Sequence, residues 1–243
     1  MAKLSKKTLS SKLLCSFLAV ALAVSQVFAN NLFVIDTPTT NLLNYGNYKI
    51  GFTAFSNGSV TTRLDFGIFK FLNLGVSWEL DNFLGNDQIQ VAVPALFVKC
   101  RLYEGDMTWP AIAIGYDGQG TFYNTDYDGD YMQRGKGVFI VVGRELFIQN
   151  LMVNVGVNTN DFKHPKAYGF VSATIPVYSD LVYFMTEYDN INYFPDARLN
   201  AGVKVALTDA IDIDFIMRDC WGKDTWDKVP NERVFKVSYT GKF

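Results

Sequence analysis

Thirteen charged side chains recur on one side of a series of alternating segments: Lys49, Arg63, Asp65, Glu79, Asp81, Lys99, Arg101, Glu187, Arg198, Lys204, Asp212, Asp214 and Arg218. Their signs are mixed and neighbouring segments carry opposites, with Arg63 and Asp65 beside Glu79 and Asp81, and these beside Lys99 and Arg101. Charges gathered in a confined space pair, because burying either one alone is costly. Such a set either selects among ions and polar solutes or holds a lumen shut; it does not suggest bond-making. Two other patterns bear on chemistry. Asp126, Asp128 and Asp130 have the spacing of a calcium loop, yet Tyr131 stands where that loop needs glycine and Gly137 where it needs a bidentate glutamate. A loose metal site competes there with a merely solvated acidic loop. The single histidine, His164, precedes Pro165 and Lys166 in an expected external loop. A lipid hydrolase on a barrel wall needs its base beside its nucleophile, and the histidine–any–serine pattern is absent, so no catalytic residue is assigned and no cofactor is called for.

The elements that position these charges are strands. In residues 234–243, Phe235, Val237, Tyr239, Gly241 and Phe243 fall on one side and Lys236, Ser238, Thr240 and Lys242 on the other, since side chains alternate with period two. A strand with one greasy and one polar face fits an outer-membrane barrel, with lipid on one side and lumen on the other. Ending on an aromatic residue, Phe235, Val237, Tyr239 and Phe243 resemble the terminal signal that the barrel-assembly machinery recognises in bacterial outer-membrane barrels.

The same alternation places further staves. Residues 48–55, 60–69 and 73–82 alternate cleanly, Leu74, Val76, Trp78 and Leu80 opposing Gly75, Ser77, Glu79 and Asp81. Later staves are expected at 94–103, 110–117, 137–144, 151–158, 167–175, 181–188, 197–206 and 211–219. The stretches 110–117 and 137–144 are so uniformly apolar that their facing is not readable. With the closing strand the count is twelve: an all-β, single, antiparallel up-and-down transmembrane barrel over residues 47–243. Asn57-Gly58 reads as a type I′ hairpin turn. Odd-numbered connections include long ones at 83–93, 118–136 and 220–233, whereas even-numbered ones are short, the asymmetry of external loops and periplasmic turns.

Before the barrel, Lys3, Lys6, Lys7 and Lys12 precede an apolar run from 13 to 24, and Val27-Phe28-Ala29 offers a cleavage site. Residues 1–29 are therefore expected to be a secretory signal peptide for Sec-type export to the bacterial outer membrane. Residues 30–46 form a polar lead-in, expected to be periplasmic and partly tucked into or under the barrel. Without the four lysines of the leader, 18 cations face 24 acids, net −6, which speaks against a nucleic-acid partner. Aromatics at 15% suit girdles at the membrane interfaces. Cys100 and Cys220 are expected to be free thiols.

Pro38-Thr39-Thr40, Phe66-Gly67-Ile68-Phe69, Leu84-Gly85-Asn86, residues 94–99 and residues 110–117 together resemble the barrel repeat of YjbH-like outer-membrane proteins. The likeness is best over residues 37–117, and members are typically much longer. It implies an association with exopolysaccharide production or export. The partners expected are thus outer-membrane lipid, the assembly machinery, and polysaccharide or small ions. Two functions remain open: a narrow pore, or a non-conducting structural or surface-interaction barrel plugged by its own charges.

Overall fold

The structure is a computed structural model that describes residues 31–85, 88–124, 130–133, 135–146, 151–159, 166–179, 181–192, 197–222 and 231–243. The expected leader, Asp126, Asp128 and His164 lie outside the described residues, and of Asp130 only the backbone is described.

Among the described residues there are fifteen strands: β1 (Asn47–Phe55), β2 (Val60–Phe69), β3 (Leu72–Asp81), β4 (Gln90–Val91), β5 (Ala95–Tyr103), β6 (Ala111–Asp117), β7 (Thr121–Asn124), β8 (Asp130–Gln133), β9 (Gly137–Leu146), β10 (Leu151–Thr159), β11 (Tyr168–Tyr178), β12 (Val182–Asp189), β13 (Arg198–Ala206), β14 (Ile211–Arg218) and β15 (Glu232–Lys242). Twelve of them form one antiparallel cycle. β1 pairs with β2 on one edge and β15 on the other, and β2–β3 pairing completes the circuit. Asn47 opposes Lys242 and Phe55 opposes Val234, so first and last staves meet along their whole length. Closure leaves no unpaired edge, the condition for a sheet to cross a bilayer. β4 adds two residues beside β3, and β7 pairs only with β8. No described helix is long and apolar enough to cross a membrane.

Period-two alternation decides the facing. Leu96, Val155 and Phe215, on well-separated staves, are 64%, 54% and 57% exposed on the outside. So wide an apolar surface wrapped right round a sheet is a lipid-facing surface, not a core face. Inward positions are buried, among them Asn73, Ser77 and Glu79 on β3, and Asn200 and Lys204 on β13.

The first hairpin differs from expectation. The N–H of Gly58 donates to the carbonyl of Phe55 at 3.1 Å, and the N–H of Phe55 donates to that of Ser59 at 3.0 Å. Gly58 has φ +89°, whereas Asn57 is not among the positive-φ residues. The loop is thus a type I turn followed by a left-handed glycine, the three-residue hairpin with a bulge, and not a type I′ turn. Pro176, within β11, sits where the pairing with β12 shifts register, a place where a missing ladder donor is tolerated.

The lumen is occupied by residues 31–46. They rise inside the barrel, turn over where Val34 N–H donates to Thr37 carbonyl, and descend to join β1. Leu32 and Leu43 pack with Phe97, Ala113, Phe139, Val141 and Phe170 of the wall, and Val34 and Ile35 with Phe55, Met185, Ile216 and Val234. This accounts for the uniformly apolar β6 and β9: Ile112, Ile114, Ile140 and Val142 face outward, while Ala113, Phe139 and Val141 face the inserted segment.

Candidate functional site

All thirteen charged residues singled out from the sequence sit on the inward register of their strands, and most meet the inserted segment or one another. Glu187 on β12 is the most heavily engaged. Its carboxylate accepts the N–H groups of Ile35 (3.2 Å), Asp36 (3.0 Å) and Thr37 (2.9 Å), the Thr37 hydroxyl (2.7 Å) and the Asn200 amide (2.7 Å). A turn of backbone with three N–H groups converging on one carboxylate forms a nest for an anion. Lys99 on β5 is fully buried and donates to the carbonyls of Leu32 and Thr39 at 2.8 and 3.1 Å. Asn73 on β3 holds Leu43 through both its N–H and its carbonyl. The wall therefore grips the inserted backbone by its own peptide groups, satisfying donors and acceptors that have no ladder partner.

Expected cross-strand pairs form only in part. Arg63 reaches Asp65 at 3.1 Å and Asp117 at 3.2 Å, with its guanidinium over the rings of Phe33 and Phe97 at 4.3 and 4.2 Å. Lys49 meets Asp212 at 3.4 Å and Lys204 meets Asp214 at 3.5 Å. Arg218 bridges Asp36 of the inserted segment (2.8 Å) and Glu232 (3.0 Å). Glu79, expected beside cations, instead accepts the N–H groups of Phe122 and Tyr123 at 2.8 and 3.1 Å. Arg101 pairs with the exposed Glu104, and Asp81 accepts from the Ser59 hydroxyl, each at a strand end.

The described residues of 118–136, a stretch expected as an external loop, fold over the lumen. Its β7–β8 hairpin buries Phe122, which meets Phe55 edge-on, and Gln133 accepts from Arg198 at 2.7 Å and Arg218 at 3.0 Å. Burial, and then the charge of Glu79, pushes the Tyr131 phenol up to about 12. The thirteen residues do not include Asp36, Asp117, Gln133, Lys136, Asp189, Glu232 or Lys236, which the tertiary structure adds to the site. Lys236 was legible, since it lies on the polar face of the terminal strand. Lys136 and Asp189, which pair with each other, lie at strand ends where alternation gives no signal.

Beside the inserted segment remains a cavity of about 560 Å³. It is lined by β1, β2, β13, β14 and β15, by the ends of β6, β10, β11 and β12 and by the inward-folded loops, and draws nothing from β3, β5 or β9. Of the thirteen residues, Lys49, Arg63, Asp65, Arg198, Lys204 and Arg218 line it; Glu79, Asp81, Lys99, Arg101, Glu187, Asp212 and Asp214 do not. Among the described residues no cluster of three or more histidine, cysteine or acidic side chains could hold a metal ion. Cys100 and Cys220 are free.

A closed wall of twelve antiparallel strands, greasy outside and charged within, defines the class as a β-barrel of the outer-membrane type. No family model matches the chain and no curated protein matches it in sequence, so the YjbH-like resemblance has no family match beside it. Among solved structures, the outer membrane protein Omp33 of Acinetobacter baumannii is similar at 10% identity and TM-score 0.39, covering 83% of this chain and 99% of that one. OmpF of Salmonella typhi, solved with daunomycin, is similar at 9% identity and TM-score 0.32, covering 81% and 96%. The outer membrane channel DcaP of A. baumannii gives 9% and 0.29, with coverage of 81% and 96%. At these values the overlap is loose; the architecture rests on the chain's own strand pairing.

Proposed function

We propose that this is an outer-membrane barrel of the pore type, exported by its leader, whose lumen is narrowed by residues 31–46 to a side passage for ions or an extended saccharide. The observation that carries the reading is the cavity of about 560 Å³ left beside the inserted segment, lined by charged side chains. A barrel of about eight strands is filled by its own side chains and one of sixteen holds a wide channel, so a twelve-stranded wall has room for both an insert and a residual passage. An exopolysaccharide substrate is supported by the sequence resemblance alone. Purified protein in a planar bilayer tests the pore: discrete conductance steps are expected. Silence from protein whose heat-modifiable gel mobility shows a folded barrel would overturn it.

One observation favours the non-conducting alternative. The inserted segment is bound by Glu187, Lys99 and Asn73 and by two apolar clusters, enough to act as a permanent filling. The two readings part in the same bilayer experiment.

A further inference from the structure

The cavity's lining carries more cationic than anionic side chains. Eight lysines and arginines line it against four aspartates. Each of those aspartates is already engaged by a cation, Asp36 by Arg218, Asp65 and Asp117 by Arg63, and Asp189 by Lys136. The acids nearest the lysines of this wall, Asp212 and Asp214, are not on the lining. A solute in the cavity therefore meets twice as many cationic as anionic side chains, and the acids paired with Lys49 and Lys204 stand behind the lining.

The surplus concentrates on one part of the wall. Lys236 on β15 makes no side-chain hydrogen bond or ion pair among the described residues. It stands opposite Asp214 on β14 and Thr53 on β1, and shares the cavity lining with Lys49, Arg63 and Lys204. Arg63 Nη2 and Ser238 Oγ are buried without a partner. Between these two residues in register lies Gly51, opposite Ser238 on one side and Arg63 on the other. A Cβ on Gly51 would meet nothing within 4 Å, so the wall there is open.

We infer that this recess is a binding site for an oxyanion-bearing solute, a small carboxylated saccharide being the class that suits both the donors and the space. Ammonium and guanidinium groups offer donors and no acceptors, so only a ligand rich in acceptors, best a charged one, satisfies them. A volume of about 560 Å³ falls in the range of small-molecule sites. The inference rests on the passage proposed above, to which it assigns a solute class.

The test is calorimetric titration of the folded barrel in nonionic detergent at low salt, with glucuronate as probe and glucose as its uncharged counterpart. Glucuronate is expected to bind saturably and glucose not. Lys236→Gln is expected to weaken glucuronate about tenfold or more, in line with losing one charge-assisted hydrogen bond, and Lys236→Arg to retain most of it. Gly51→Leu fills the recess without changing charge and is expected to abolish binding. Heat-modifiable mobility checks that each variant is folded. Equal affinity for glucose, no heat with glucuronate, or indifference to both Lys236→Gln and Gly51→Leu would overturn the site. Glucuronate binding in a barrel that never conducts would sink the pore and leave the site standing; conductance without glucuronate binding would do the reverse.

Discussion

Replacing Glu187 with alanine should release the inserted segment while leaving the barrel closed. The carboxylate is 1% exposed and accepts three backbone N–H groups and a hydroxyl from residues 35–37. Removing it leaves those donors buried without partners, at about 1–3 kcal/mol each. Three peptide donors alone put the ceiling near 3–9 kcal/mol, less whatever is recovered when the segment swings out and its N–H groups reach water. Taking about 3 kcal/mol, the ratio of inserted to released segment falls by roughly two orders of magnitude. The wall should not follow, because its staves are held by ladder bonds that do not involve Glu187's side chain. Hydrogen exchange read by mass spectrometry on peptides covering residues 31–46 should accelerate by roughly a hundredfold, while peptides from β1 and β15 stay protected. If the segment remains as protected as in the parent protein, the carboxylate nest is not what holds it and the reasoning fails.

Two further outcomes follow from local geometry. At Gly67 a Cβ would lie 2.1 Å from the Asn44 carbonyl and 2.9 Å from that of Leu43. Gly67→Ala should therefore loosen the descending limb by about 1–3 kcal/mol, seen as faster exchange there, whereas Gly51→Ala, which meets nothing, should not; equal behaviour of the two would refute the steric account. At Asp106 the Tyr103 hydroxyl, then the N–H groups of Trp109 and Thr108, hold the carboxyl below its usual 3.8. Because the folded value is depressed, this turn's stabilisation is present above about 3.8 and is lost as pH falls through the lower folded value. A carboxyl NMR titration should give a midpoint below 3.8, and a midpoint at or above it would remove the hydrogen-bond explanation.

What the sequence determined by itself was the wall. Side chains on a strand alternate because the backbone is pleated, and that period is local, so Leu74-Gly75-Val76-Ser77-Trp78-Glu79 reveals its own two faces without reference to any other residue. From such stretches came the twelve staves, the meeting of residues 48–55 with the terminal strand, and the inward facing of Lys49, Arg63, Lys204 and their companions. Alternation failed where both faces are apolar: Phe139 and Val141 look as greasy as their lipid-facing neighbours Ile140 and Val142 because they pack on Leu32 and Leu43. Nor does a period say who stands across the lumen. That Glu187 receives the N–H of Thr37, 150 residues earlier, that Glu79 binds a loop folding back over it, and that a donor-rich recess opens at Gly51 all depend on the path of a segment without strand periodicity. Partners in a closed barrel are set by curvature and by what fills the middle, and only the tertiary structure carries either.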